Sequence, residues 1–270
     1  MQEQRSPIIK VMMTACHKAA RAILRDFYEL ESLQISQKGV ESFVTSSDLK
    51  SEKVLIEELS RARPHYSLLL EESGYLPAVN DVIPTHRWVI DPMDGTSNFI
   101  HGNPNFAISI ALEVVGQNNP HREPDMLRTG DIIAAVTYLP ATKEIYWAER
   151  GKGAYYMDSA NREKRIRIAS RDQLKGTLVG TNIPNNTSQE YRAVYNLISK
   201  NYAKIRVSGA TTVDLAFVAS GKLDAAFYEK SMLWDIAGGA LFVLEAGGAV
   251  HKINNIMAFG NETLIKKMLE

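Results

Sequence analysis

Trp88-Val89-Ile90-Asp91-Pro92-Met93-Asp94-Gly95-Thr96-Ser97-Asn98 is the stretch on which both fold and chemistry turn. Its apolar run reads as a buried strand that ends abruptly in a carboxylate. A second carboxylate follows three residues later, just ahead of a helix start. Two such groups at a strand mouth suit a hard cation, since Mg²⁺ draws oxygen ligands to about 2.1 Å. Pro92 stiffens the turn and has no N–H to leave unpaired. Gly95 permits close backbone approach, and the N–H groups of Gly95, Thr96 and Ser97 would form an anion site at the helix start. By spacing alone, an ordinary capped turn accounts for these residues equally well.

A second acidic pair breaks the tie. Leu68-Leu69-Leu70 is another apolar run ending in carboxylates, Glu71 and Glu72, and the offset of twenty residues would set Glu71 beside Asp91 and Asp94. Downstream, Leu233-Trp234-Asp235-Ile236-Ala237-Gly238-Gly239 places Asp235 ahead of an apolar helix stopped at Ala246-Gly247-Gly248. Asp235 reads as an N-cap there, a role that leaves one oxygen free to point outward. Two carboxylates about 5 Å apart repel by roughly 3 kcal/mol at an effective dielectric near 20. Several converging ones must therefore be protonated or neutralised by metal.

The flanking pattern is layered. Residues 7–30 have helical period, with Ile8, Val11, Met12, Cys16, Ala19, Ile23 and Phe27 on one face. Residues 36–43 read as a short β segment. Ser46, Ser47 and Asp48 then open a second helix that Pro64 stops, with Asp48 as cap. Strands are expected at 67–71, 87–91, 105–115, 131–138 and 143–149, and Gly151 to Ala154 turns into another. From about Arg165 the pattern alternates: strands at 178–181, 204–208 and 223–228, helices at 188–202, 211–220 and 235–246. The expected fold class is therefore α/β, with an α+β first half (1–164) and an α/β second half (165–270).

Taken together, L-E-E-S-G at 70–74, W-V-I-D-P-M-D-G-T-S-N-F-I-H-G at 88–102 and L-W-D-I-A-G-G at 233–239 closely resemble the inositol monophosphatase family. These are Mg²⁺-dependent, lithium-sensitive sugar-phosphate phosphatases. The resemblance runs from the first helix to A-F-G-N-E-T-L at 258–264. It implies one catalytic unit, a layered αβαβα sandwich with the active site between its halves. It also implies two or three Mg²⁺ ions. Glu71, Asp91 and the Met93 carbonyl would hold the first, and Asp91, Asp94 and Asp235 the second. Glu71 would also contact a third. Thr96, backed by Asp48, would orient and help deprotonate the attacking water. Gly95 and Thr96 would bind phosphate. Asp94 and the backbone at Gly209, Ala210 and Thr211 would touch substrate hydroxyls.

Three departures stand out. Where the family carries a glutamate four residues beyond the position of Asp224, this chain has Tyr228, with Glu229 one place later. Either Glu229 is restored to the substrate by a one-residue shift, or the hydroxyl contact is altered. The polar stretch 116–130 is longer than the usual hairpin loop, and the connection at 252–257 is short and rebuilt. The implied substrate is inositol monophosphate. Fructose 1,6-bisphosphate, histidinol phosphate and adenosine bisphosphate are alternatives, and some bacterial relatives instead serve the transcription machinery.

Composition narrows the classes. Lys plus Arg and Asp plus Glu both total 31, so the 270-residue chain has no net charge to attract nucleic acid or anionic lipid. The single cysteine, Cys16, excludes an internal disulfide and, in a helical pattern, reads as buried structure rather than as a nucleophile. No apolar run approaches 18 residues and no signal-peptide core is present, so a cytoplasmic location is expected. By resemblance it would be a homodimer acting on a small phosphorylated polyol. His101 reads as a structural histidine rather than one that orients the motif.

Overall fold

The computed structural model describes residues 5–33, 37–79, 83–116, 127–183 and 187–269, with backbone only for 30–33 and 37–45. Thirteen strands and seven α-helices among these residues stack in five layers. Outermost on one side are α1 (Pro7–Leu33) and α2 (Gln37–Ala62). They cover an eight-stranded sheet ordered β2-β1-β3-β4-β5-β6-β7-β8. Its strands are β1 (Ser67–Leu70), β2 (Gly74–Leu76), β3 (His86–Asp94), β4 (Ala107–Val114), β5 (Ile132–Leu139), β6 (Glu144–Glu149), β7 (Gly153–Met157) and β8 (Glu163–Arg165). The short α3 (Thr96–Ile100) follows β3 directly.

The middle layer is α5 (Thr211–Ala219) and α6 (Leu233–Glu245), each apolar nearly all round because sheets bury it on both sides. A five-stranded sheet comes next, ordered β10-β9-β11-β13-β12. It comprises β9 (Leu178–Gly180), β10 (Lys204–Arg206), β11 (Ala225–Glu229), β12 (Ala249–Ile253) and β13 (Ile256–Gly260). Beyond it pack α4 (Gln189–Lys200) and α7 (Glu262–Leu269). Three apolar cores fill the interlayer spaces. The layered αβαβα arrangement is the one the sequence implied.

Along α1 the expected face holds: Met12, Cys16, Ala19, Ile23 and Phe27 are buried, and Ile8 and Val11 pack at the rim. Burial pushes the Cys16 thiol up, as a structural cysteine requires.

Two expectations are corrected. The β segment at 36–43 is helix from Gln37 onward, while Ser36 lies outside the described residues. Val40, Phe43 and Val44 already have the i, i+3, i+4 spacing of a helix face. Asp48 is consequently no cap; it sits eleven residues inside α2. Ser47 and Asp48 lie in the helix interior with their side chains buried against other elements. The Ser47 hydroxyl donates to Asp26 at 2.7 Å, and Asp48 faces the acidic cluster described below.

The rebuilt 252–257 connection is a tight β12–β13 hairpin, Ile253 opposite Ile256, with Asn254 at φ +52° in the turn. Most of the long 116–130 stretch, residues 117–126, lies outside the described residues. Among the described residues no helix is long and apolar enough to cross a membrane.

Candidate active site

Strands β1 and β3 pair in parallel with Leu70 opposite Ile90, so Glu71 and Asp91 leave the sheet side by side. The carboxyl ends of adjacent parallel strands are where such sheets present their ligands. Beyond Asp91, β3 continues rather than stopping. Asp91 pairs with Ser109 and Asp94 with Ala107, so three steps on β3 span two on β4. This bulge accommodates Pro92, which could not donate in a regular ladder, and swings Asp94 toward the second half. Gly95 then takes φ +89°, where a Cβ would stand 2.7 Å from the Asn105 carbonyl. No other residue fits there without moving backbone.

α2 grips both arms of this arrangement. Asp48, Ser51 and Glu52 lie at i, i+3, i+4 on one buried face. The Ser51 hydroxyl donates to the Pro92 carbonyl at 2.9 Å, bracing the bulge. Glu52 accepts from the Glu72 and Ser73 N–H groups at 3.2 and 3.3 Å and from the Ser73 hydroxyl, fixing the turn that carries Glu71. Asp48 has one buried oxygen without a hydrogen-bond partner and is pushed up to about 8, first by burial and then by Glu72, Glu71 and Glu52. The Thr96 hydroxyl donates to the Met93 carbonyl at 3.2 Å.

The second half closes the site through α5 and α6. Asp94 accepts from Thr212 N–H and hydroxyl, each at 2.6 Å, and from the N–H groups of Gly95 and Thr211. The Asn98 amide donates to the Asn105 carbonyl at 2.7 Å and the Ser208 carbonyl at 2.8 Å, so the motif holds the turn through Gly209 and Ala210 directly. Asp235 is the third residue of α6, not its cap, and accepts from the Met232 N–H at 3.1 Å; its other oxygen is free of that contact. His101 bonds the Ser97 carbonyl of its own short helix at 2.8 Å, a local structural role.

Glu71, Asp91, Asp94 and Asp235 thus form one electrostatic cluster. Burial raises Asp91 well above the usual carboxylate range, and the charges of Asp94, Glu71 and Asp235 raise it further. Asp235 is pushed up to about 7 by burial and Asp94. Burial raises Glu71 as well, and Asp91 lies close beside it. Among the described residues no three acidic side chains yet meet at a single coordination point. The donor set nevertheless fits a hard divalent cation: it is all oxygen, it repels itself, and a cation would offset that repulsion.

Not every residue expected at the site is in the cluster. Glu229 accepts from the Ser188 N–H at 3.1 Å at the start of α4. Tyr228, buried on the α5 side, donates to Asp214 at 2.6 Å. Ser51, Glu52, Thr212 and Asp214 were absent from the sequence reading. The i, i+3, i+4 spacing of Asp48, Ser51 and Glu52 was the one signal available for the first two. Nothing local flags the others.

The inositol monophosphatase family model matches residues 4–265. The chain belongs to the inositol monophosphatase family. It is 39% identical over 247 residues to "Inositol-1-monophosphatase" of Caulobacter vibrioides, covering 90% of this chain and 88% of that one. It is 33% identical over 275 residues to "Nus factor SuhB" of Escherichia coli, covering 97% and 94%. Among solved structures, the extragenic suppressor protein suhB of Bartonella henselae superposes with a TM-score of 0.79 at 34% identity, covering 97% of each chain.

Proposed function

We propose that the chain hydrolyses phosphate monoesters of small polyols, inositol monophosphate foremost, with Mg²⁺. The observation that carries this is the joining of Glu71, Asp91, Asp94 and Asp235, from separate elements, into one self-repelling cluster beside Thr96. Glu71, Asp91 and the Met93 carbonyl would hold one Mg²⁺; Asp91, Asp94 and Asp235 would hold a second, and Glu71 would contact a third. Bound there, Mg²⁺ supplies an acidified water and charge to stabilise the leaving oxygen.

The chain's own residues do the rest. Thr96, which bonds the Met93 carbonyl three residues back, orients and helps deprotonate the attacking water, backed by Asp48. The Thr96 N–H, with that of Gly95 once it is released from Asp94, receives the phosphate, and the Gly209–Thr211 backbone with Asp94 positions the polyol. The protein works as a cytoplasmic homodimer. Likeness to a protein named Nus factor SuhB supports a second, compatible role with the transcription machinery, tested by salt-dependent retention of RNA polymerase.

Turnover of inositol 1-phosphate is expected to require Mg²⁺, to fall with excess Ca²⁺, which prefers longer and looser coordination, and to be inhibited uncompetitively by Li⁺. Full activity in excess EDTA would overturn the scheme.

A further inference from the structure

Helix α5 opens without a cap of its own. Ala210 stands at its N-cap position and has no side-chain oxygen, so the first N–H groups of the helix need an acceptor from elsewhere. Asp94 supplies it from the other half of the chain, and the positive end of the helix favours its charge. Two of the bonds fall on one oxygen. The Thr212 N–H and the Thr212 hydroxyl both donate to Asp94 Oδ2, each at 2.6 Å. A carboxylate oxygen has about two acceptor positions, so a single buried residue fills Oδ2 and leaves Oδ1 as the oxygen an ion can take. The Gly95 and Thr211 N–H groups, which also reach Asp94, belong to the backbone that receives the ester on the reading above, so they have a second partner to turn to.

The other aspartates assigned above to the second Mg²⁺ follow the same pattern less strictly. Asp91 Oδ1 accepts from the Met93 N–H at 3.0 Å, and Asp235 Oδ2 from the Met232 N–H at 3.1 Å. Each of these is one backbone donor on one oxygen, which keeps an acceptor position open there. Thr212 adds a hydroxyl to its N–H and closes the remaining position. That difference bears on ion size. Mg²⁺ demands near-octahedral geometry, keeps several waters and is bound through few carboxylates, whereas Ca²⁺ takes about six to eight oxygens and readily uses both oxygens of one carboxylate. A carboxylate that cannot offer its second oxygen penalises Ca²⁺ and not Mg²⁺.

We propose that Thr212 is a positioning residue for metal selectivity. By closing Asp94 Oδ2 it holds that carboxylate to one-oxygen ligation, and so sets the preference for Mg²⁺ over Ca²⁺. It acts through Asp94 and touches neither the ion nor the substrate. The inference rests on the Mg²⁺ reading above. A loose cluster of oxygens has the opposite preference, because Mg²⁺ gives up its waters reluctantly and Ca²⁺ tolerates irregular geometry. Selectivity for Mg²⁺ therefore needs ligands that are restrained from outside their own loop, and Thr212 restrains Asp94 across 118 residues of chain.

The test is calorimetric titration of the metal-free full chain with MgCl₂ and with CaCl₂, read as the ratio of the two apparent Kd values. It uses wild type and the variants Thr212→Val, Thr212→Ala and Thr212→Ser. Wild type is expected to bind Mg²⁺ more tightly than Ca²⁺. Valine keeps the side-chain volume and removes the hydroxyl. The preference for Mg²⁺ should then shrink by roughly 2- to 10-fold, the scale of one hydrogen bond, chiefly through tighter Ca²⁺ binding. Alanine should follow valine, and serine, which keeps the hydroxyl, should restore the wild-type ratio. The Ca²⁺ concentration that halves Mg²⁺-supported hydrolysis of inositol 1-phosphate should fall by the same factor. A packing role would weaken both ions together, and a ratio unmoved in the valine and alanine variants overturns the proposal. So does a wild-type chain that binds Ca²⁺ at least as tightly as Mg²⁺, a measurement that needs no variant to fold. A wild-type chain that binds neither ion and hydrolyses no ester overturns the Mg²⁺ reading itself.

Discussion

The two flanks of the site are built by different rules. On the acidic flank the carboxylates are held by hydrogen bonds from other elements: Glu71 by the turn that Glu52 pins, the Asp91–Asp94 bulge by Ser51, Asp94 by Thr212. Those contacts are buried or half-buried and come from several elements. At the ends of β11 and β12, Glu229, Lys230 and Lys252 sit near solvent; strand parity sets which way Glu229 and Lys252 face, and a left-handed backbone turns Lys230. Chemistry common to the family is placed where many bonds agree. The departure from the family's pattern at Tyr228 and Glu229 falls where one residue of register turns a side chain to the other face.

The harshest way to break that contrast is at its stiff end. Asp91→Asn should lower kcat by at least about a thousandfold, roughly 4 kcal/mol of barrier, while the protein stays folded. Retention of a tenth of the wild-type rate would mean that Asp91 is no bridging ligand. Glu52→Ala touches no ligand yet leaves the Glu72 and Ser73 donors unpaired. A fall of roughly 10- to 100-fold in kcat/KM is expected, from a charged acceptor worth about 1.5–3 kcal/mol. The Mg²⁺ concentration for half-activation should rise with it; an unmoved activation curve would reduce Glu52 to a packing role.

Smaller effects sharpen the other side. Tyr228→Phe frees Asp214 and should alter discrimination among esters by about 2- to 10-fold, the worth of one neutral hydrogen bond. Glu229→Gln should leave that discrimination nearly unchanged, because its carboxylate serves α4. The reverse pattern would show that β11 shifts register when substrate binds.

The mildest test is thermal. Asp235 is raised to about 7 and Asp48 to about 8 in the folded state, above their unfolded values. The folded, metal-free protein therefore binds more protons than the unfolded chain between pH 4 and about 8, and loses stability as pH rises through that window. Mg²⁺ binds the deprotonated cluster, so the rise in Tm on adding it should be a few degrees larger at pH 8 than at pH 5. An equal rise at both pH values would place these groups outside the ion's reach.

Much of this was legible in the chain itself. The twenty-residue offset between Leu70-Glu71 and Ile90-Asp91 became the parallel register that sets the two acids together. The amphipathic face of α1, the apolar α6 and the alternation of strand and helix after Arg165 are local patterns, and they survive folding because burial rewards them directly. The α2 start misled for the opposite reason. Ser46, Ser47 and Asp48 have the composition of a cap, but the helix begins at Gln37, with Ser47 donating to Asp26 and Asp48 buried beside the acidic cluster.

What sequence determined, then, is the chemical kind of each ligand and its place at a strand end or helix start, because propensity and periodicity act over a few residues. Which way Tyr228 and Glu229 face, and that Thr212 holds Asp94, were decided only by the tertiary structure. Parity along a strand is counted from its pairing with distant strands, and hydrogen bonds across 118 residues of chain leave no mark in either partner's neighbourhood.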